Sequence, residues 1–336
     1  MKNKINLAVI GTGRMGSVHV ANLATKVSGV NLVAVCDIKP DVVNAVADRW
    51  GIERRVIDYH ELLADPTIDA VLIATSTDTH AAIIKDAAMA GKQIFSEKPL
   101  ALNLDDIDEA LAAVHQNKVK LQVGFNRRFD KNFQQVKSVL SSGELGRSCI
   151  LKITNRDPQL PALEFLKTSG GIFLDMTIHD FDMARFQVGE VEEVYAIGSV
   201  LIDPELNSFG DLDTIAVSLK FADGTIGSID NSRQSVYGYD QRLEVFCLNG
   251  TAMAENEKEH TVLKGNPEGF LSARVPNFFM QRYAPCYVEE VQQFVDCVRE
   301  DKPTPTTGED GRAAVVLGLA TWKSFHEHRP IKVSEI

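Results

Sequence analysis

Ile5-Asn-Leu-Ala-Val-Ile10 runs straight into Gly11-Thr12-Gly13-Arg14-Met15-Gly16, and a helical pattern follows from Met15 to Val27. A short apolar strand, a Gly-x-Gly-x-x-Gly turn and a helix in that order form the context in which the glycine pattern binds a dinucleotide. Gly11 allows the tight turn, Gly13 lets backbone approach a pyrophosphate, and Gly16 permits close helix–strand packing. The amide groups of the helix N-terminus and its positive dipole end then face the phosphates. This assigns Gly11, Thr12, Gly13, Arg14 and Met15 to the cofactor. Asp37 closes the next strand, 21 residues after Gly16. A carboxylate there accepts hydrogen bonds from the adenosine ribose and repels a 2′-phosphate, so NAD is expected over NADP. Lys39 is the one local feature that leaves NADP open.

Strand-like runs recur outward from this turn at Asn31–Asp37, Ala70–Ala74, Gln93–Ser96 and Lys120–Val123, with a weaker one at Arg55–Ile57. Helical stretches lie between them, at Pro40–Trp50, Thr79–Ala90 and Leu104–Gln116. Alternation of this kind predicts βαβ units and a parallel sheet covered on both faces. After Gly124 the rhythm changes. A helix at Phe133–Leu140 leads to strands at Ser148–Asn155, Glu193–Leu201, Thr214–Phe221, Thr225–Asp230 and Leu243–Leu248. Asp223-Gly224 and Asn249-Gly250 are hairpin turn signals. Further helices are expected at Ile172–Phe186, Val288–Arg299 and Glu309–His326. The predicted fold is therefore an α/β Rossmann domain over 1–124, then an α+β domain over 125–336 with a large, mostly antiparallel open sheet. The last helix is free to pack back on the first domain.

The 336 residues carry 35 Lys and Arg against 46 Asp and Glu, a net charge of −11, which argues against nucleic acid as the main partner. No apolar run reaches transmembrane length, and the N-terminal run lacks the pattern of a signal peptide. The five cysteines are scattered without a Cys-x-x-Cys, as expected of free thiols in a cytoplasmic protein.

Two places suggest chemistry. Glu97-Lys98-Pro99 follows a predicted parallel strand, at the end where open α/β sheets bind ligands. The Lys98 ammonium there could hydrogen-bond a substrate hydroxyl and favour its alkoxide character; the plain alternative is a solvated turn lysine. Gly170-Gly171 opens the second segment, which continues to Asp175, His179 and Asp180. On one helix, Asp175 and His179 share a face. His179 suits a base that takes a hydroxyl proton as hydride leaves, with Asp175 orienting the ring or a neighbouring hydroxyl. The plain alternative is a helix-stabilising pair. Asp180 and Asp182 read as structural.

Together these motifs resemble the glucose–fructose oxidoreductase / inositol dehydrogenase / rhizopine catabolism family, across essentially the whole chain. The matching residues are the glycine turn, Asp37, Ala74-Thr-Ser-Thr-Asp-Thr-His80, Glu97-Lys98-Pro99 and Gly170-Gly171 through Asp180. The resemblance implies a catalytic group of Lys98, Asp175 and His179 between the two domains. It also implies that Thr75, Ser76 and His80 lie by the cofactor and Glu97 near the nicotinamide. Ser76 departs from the proline common in the family.

Within the family, Asn155-Arg156-Asp157-Pro158, Tyr237–Arg242 and Gly124–Phe129 point to a polyol ring. Arg128, Asn155, Asp157 and Tyr237 would bind it, and the implied reaction is NAD-dependent oxidation of the myo-inositol C2 hydroxyl. Another polyol or aldose dehydrogenase, scyllo-inositol included, and a non-catalytic NAD-sensing protein remain the alternatives. A homotetramer formed through the exposed face of the second sheet is also implied. No metal site is expected: His19 reads as a packed or surface residue. Neither His60, His115, His260, His326 and His328 nor the Asp175/His179/Asp180 group shows a complete ligand set.

Overall fold

The structure is a computed structural model that describes residues 4–336. It divides into two compact units, one formed by the chain up to Phe129 with Pro285–Val315, the other by Asp130–Ala284 with Val316–Ile336. In chain order the first unit contains β1 (Ile5–Ile10), α1 (Arg14–Thr25), β2 (Val30–Cys36), α2 (Pro40–Trp50), β3 (Arg54–Val56), β4 (Ala70–Ile73), α3 (His80–Met89), β5 (Gln93–Ser96), α4 (Leu104–Asn117) and β6 (Leu121–Val123). The strands form one parallel sheet in the order β3-β2-β1-β4-β5-β6.

β4 is buried along its whole length, as a central parallel strand between helical layers must be. Leu7, Val9, Val35, Leu72 and Phe95 join Val20 and Leu23 of α1 and Val291, Phe294 and Val295 in one apolar core. Local signals set the helix ends. Pro40 opens α2, whose C-terminus passes through Gly51 at φ 66°. The Asn103 side chain caps α4 by accepting from the Asp106 amide.

The second unit begins with α5 (Lys131–Ser141), capped by Asp130. β7 (Ser148–Arg156), α6 (Gly171–Asp175), α7 (Ile178–Gln187), β8 (Val191–Ser199), β9 (Thr214–Phe221), β10 (Ile226–Ser232), β11 (Asp240–Cys247) and β12 (Gly250–Ala254) follow. Next comes a small hairpin of β13 (Leu263–Asn266) and β14 (Gly269–Ser272); α8 (Ala284–Glu300) and the first part of α9 (Gly308–Glu327) then belong to the first unit, and the rest of α9 and β15 (Ile331–Lys332) to the second. The large sheet has the order β12-β11-β7-β10-β9-β8-β15. It is antiparallel except where β10 runs parallel to β7. Asp223-Gly224 turns β9 into β10, with Gly224 at φ 90°, and Asn249-Gly250 turns β11 into β12.

The helix expected over 172–186 is two helices, with Met176 and Thr177 between them. The amides of both residues return to the Ile172 carbonyl, and the Thr177 hydroxyl donates to the Asn231 side chain on β10 at 2.6 Å. Asp175 therefore ends α6 while His179 stands in the first turn of α7, and the two do not share a continuous helix face. Among the described residues no helix is long and apolar enough to cross a membrane.

Candidate active site

The glycine turn lies at the carboxyl end of β1. Gly11 has φ 89°, and a Cβ there would lie 2.6 Å from the Ala74 carbonyl group, so only glycine fits. A Cβ on Gly16 would overlap the Gly11 carbonyl oxygen, whereas one on Gly13 would meet nothing within 4 Å. The turn is thus packed on its inner side and open at Gly13. α1 has no side-chain cap and no acidic residue in its first turn, which leaves its positive end to an anion. Asp37 accepts hydrogen bonds from the Thr12 amide at 2.8 Å and the Thr12 hydroxyl at 3.2 Å, and from the Lys39 amide at 3.0 Å. It sits half-buried beside the turn it would serve. An open glycine, an uncapped helix and a carboxylate in place of a basic residue fit the diphosphate and adenosine ribose of NAD.

β4 and β5 continue this edge of the sheet. After β4, Ser76 is exposed, and the Thr75 hydroxyl accepts a hydrogen bond from Thr79 at 2.7 Å. His80 is buried between the Pro99 carbonyl, 2.8 Å from Nδ1, and the Thr75 carbonyl, 3.2 Å from Nε2. Burial pushes its pKa down, against the pull of the two carbonyls; a neutral ring carries one N–H and donates to one of them at a time. After β5, the Glu97 amide donates to the Ile73 carbonyl at 2.9 Å, and half-buried Lys98 precedes Pro99 through a cis peptide bond. The glycine turn and Lys98 thus lie at the same end of one sheet, on β1 and β5 with β4 between.

In the second unit, the Asp175 carboxylate accepts from Arg233 Nη1 at 3.1 Å. Arg233 is fully buried at the end of β10, and its Nη2 lies 3.7 Å from Asp211. Asp211 also accepts from the Ile172 amide at 2.8 Å, and so caps α6 from a distant loop. Burial pushes its carboxyl up from the ordinary range, against the pull of Arg233 and the two amides. Half-buried His179 follows on α7.

A polar ladder under α7 was not singled out in the sequence. Asn231, Asn155 and Gln241 are directly paired across β10, β7 and β11, and all three are buried. Asp180, next to His179, accepts from Asn155 at 2.7 Å and from Asn231 at 2.9 Å. Gln241 donates to the other end of the Asn155 amide at 2.5 Å. The signal was present in β7, where Asn155 has the same parity as buried Leu151 and Ile153. The Asn155 amide is thus bonded at both ends inside the unit, with one N–H and one lone pair beyond these two bonds.

The other expected polyol contacts lie in different surroundings. Half-exposed Tyr237 donates to Asp240 at 2.5 Å and accepts from Arg156 at 3.1 Å. Burial raises the Asp240 carboxyl, but hydrogen bonds from Arg242, Tyr237 and Asn256 outweigh it and hold the group below the ordinary range. Asp157 is half-buried just past β7, its amide donating to the Ser232 carbonyl at 2.9 Å. Arg128, in the first unit, pairs with Asp310 at 2.9 Å.

Among the described residues one group has metal-ligand spacing: His19, Glu97 and Glu290, whose ligand atoms lie within 4.8 Å of one another. His19, read from sequence as merely packed or exposed, is fully buried and bonded to Glu97 at 2.7 Å.

A parallel sheet with a glycine cradle, an acid at the ribose position and a lysine at the same edge define a nicotinamide-dependent oxidoreductase. The chain matches the oxidoreductase family with NAD-binding Rossmann fold over residues 5–125 and the GFO/IDH/MocA C-terminal domain over residues 133–253. It belongs to the GFO/IDH/MocA family and is an NAD-dependent enzyme. It is 45% identical over 333 residues, 99% of either chain, to the myo-inositol 2-dehydrogenase of Thermotoga maritima. It is 42% identical to the inositol 2-dehydrogenase of Rhizobium meliloti, covering 98% of this chain and 99% of that one. The solved scyllo-inositol dehydrogenase of Lactobacillus casei with bound NAD(H) and scyllo-inositol is 30% identical. It superposes with a TM-score of 0.93 over 98% of this chain and 99% of that one.

Proposed function

We propose that this protein oxidises the C2 hydroxyl of myo-inositol to 2-keto-myo-inositol, with release of one proton. Bound NAD+ supplies the acceptor for the hydride. His179 takes the hydroxyl proton on its imidazole. The Lys98 ammonium donates to the same oxygen and favours its alkoxide character as the hydride departs. Asp175, kept in place by Arg233, orients the imidazole or an adjacent hydroxyl. Tyr237, Asp157 and Arg128 supply polar contacts to the ring, and Asn155 supports them from the ladder beneath. Thr75, Ser76, His80 and Glu97 complete the cofactor's surroundings beside Gly11–Met15 and Asp37.

The observation that carries this reading is the shared edge of one parallel sheet. The turn after β1 and Lys98 after β5 stand two strands apart at the carboxyl end, where a dinucleotide stretches from phosphates to nicotinamide. The name of the Thermotoga relative favours myo-inositol. The deciding experiment follows NADH absorbance at alkaline pH with NAD+ and a panel of inositols and aldoses. Myo-inositol leading the panel supports the assignment, and scyllo-inositol or an aldose leading it would replace the substrate. Silence throughout, with NADH still binding, would leave an NAD sensor.

We also place the enzyme in the cytoplasm, its five cysteines unpaired. It assembles as a homotetramer. Tyr195, Ile197, Ile226, Phe246 and Met253 are exposed apolar side chains on the outer face of the large sheet, among charged ones such as Lys152 and Glu244, a mixture that suits an interface.

A further inference from the structure

We propose that Glu290 is held as a neutral carboxylic acid against the Glu97–His19 pair, and that in this form it is a positioning residue for the turn that carries Lys98. Glu290 lies in α8, has no solvent exposure, and neither of its carboxyl oxygens has a hydrogen-bond partner. One of its oxygens, a Glu97 oxygen and a His19 ring nitrogen are within 4.8 Å of one another. Two carboxylates that close in an apolar setting cannot both be ionised at modest cost.

The surroundings say which one keeps the charge. Glu97 accepts from His19 Nε2 at 2.7 Å, and its side chain is 11% exposed. Its carboxylate also lies against Gly124, where an added Cβ would come 3.0 Å from Oε2. Aromatic rings flank the group: Phe95 and Tyr287 pack edge-on against His19, and Phe294 against Phe95, with Tyr287 and Phe294 three residues before and four after Glu290 on α8. Glu97 and His19 stand with Glu290 from the other elements, and buried Tyr287 and Cys286 are three and four residues before it on its own helix. The Gln122 side chain donates to the Glu290 main-chain carbonyl at 2.7 Å and so fixes that turn of α8. Burial, and then the charge of Glu97, raise the Glu290 carboxyl well above the ordinary range.

A bound metal is the competing way to satisfy three such groups. The 2.7 Å between His19 and Glu97 is hydrogen-bond length. Two ligand atoms on one tetrahedral ion stand about 3.4 Å apart, and such an ion needs a fourth ligand. The proton is therefore favoured. Glu97 immediately precedes Lys98, so a second negative charge beside it would repel the residue that sets the lysine's main chain. This positioning role rests on the proposed part of Lys98 in the reaction, whereas the protonation state does not.

The test compares the melting temperatures of wild type and Glu290→Gln as NADH complexes from about pH 5 to about pH 9. A folded-state pKa above the unfolded value makes wild type lose stability as pH rises past the unfolded pKa, a loss that glutamine cannot suffer. The difference, variant minus wild type, is therefore expected to grow with pH by several degrees. The wild-type infrared spectrum should show a protonated-carboxyl C=O band that Glu290→Gln removes. A difference that is negative and flat in pH, with no such band, would overturn the neutral acid. So would a stoichiometric metal whose chelation lowers the wild-type melting temperature. For the positioning role, folded Glu290→Ala should lose at least about tenfold in kcat with NADH affinity within about twofold, and Glu290→Gln should restore it. Undiminished kcat in Glu290→Ala would overturn that role. If the wild type turned over no polyol, the dehydrogenase reading would fail while the melting result stood.

Discussion

The Arg233 guanidinium holds the Asp175 carboxylate at 3.1 Å while entirely shielded from solvent, and its other arm lies 3.7 Å from buried Asp211. Asp175 is thus a fixed anion at the end of α6, with its negative charge answered from beneath. Replacing Arg233 by Met would leave two carboxylates without their cation, which is expected to cost about 3 kcal/mol of stability. In the folded fraction, kcat should fall about 100-fold through misplacement of Asp175, with NADH affinity nearly unchanged. Thermal melts, steady-state kinetics and an NADH titration check the three parts. Equal loss of NADH binding would point instead to general unfolding.

His179→Ala removes the proposed base. We expect kcat to drop about 100- to 10,000-fold, with the Kd for NADH within about twofold of wild type. The remaining activity should lose the pH dependence contributed by the imidazole. Full turnover in this variant would exclude His179 as the proton acceptor.

The three glycines of the nucleotide turn should separate folding from binding. Gly16→Ala forces a methyl group onto the Gly11 carbonyl and should destabilise the first unit by several kcal/mol, on the order of ~4. Gly13→Ala has open space around it, so the protein should fold normally and lose NAD affinity instead. Melting curves with and without NADH distinguish the two outcomes.

His80 carries a pH signature. Its folded pKa is depressed, mainly by burial, below the ordinary value of 6.5. The neutral ring contributes stability that is fully present above that value and is lost as pH falls through the folded pKa, because the unfolded chain binds the proton first. The melting-temperature advantage of wild type over His80→Gln should therefore be constant above about pH 7 and shrink below about pH 6.

Much of the fold could be read because its signals are local. Pro40, Gly51 and Asn103 mark helix ends at their own positions, and the apolar runs of β1, β4 and β5 have no reading other than buried strands. Asp223-Gly224 and Asn249-Gly250 located both hairpins of the large sheet. The break at Met176-Thr177 had no such sign, with neither glycine nor proline, since the Thr177 hydroxyl is held by Asn231 from β10. Glu289 and Glu290 are adjacent and chemically identical, yet one is exposed and the other fully buried, a distinction set by which face of α8 meets the sheet. Arg233 was invisible for the same reason: its partners Asp175 and Asp211 reach it only through the fold. For the candidate site, the glycine turn, Asp37 and Lys98 were legible from position on the sheet. Asp175 and His179 were legible as residue types but not in their helix geometry.

The most direct test of the reaction is to supply myo-inositol carrying deuterium at C2 with NAD+ and wild-type protein, and to analyse the nicotinamide product. The deuterium is expected on the reduced nicotinamide, together with 2-keto-myo-inositol and a slowed turnover. Reduced cofactor without deuterium would contradict hydride transfer from C2.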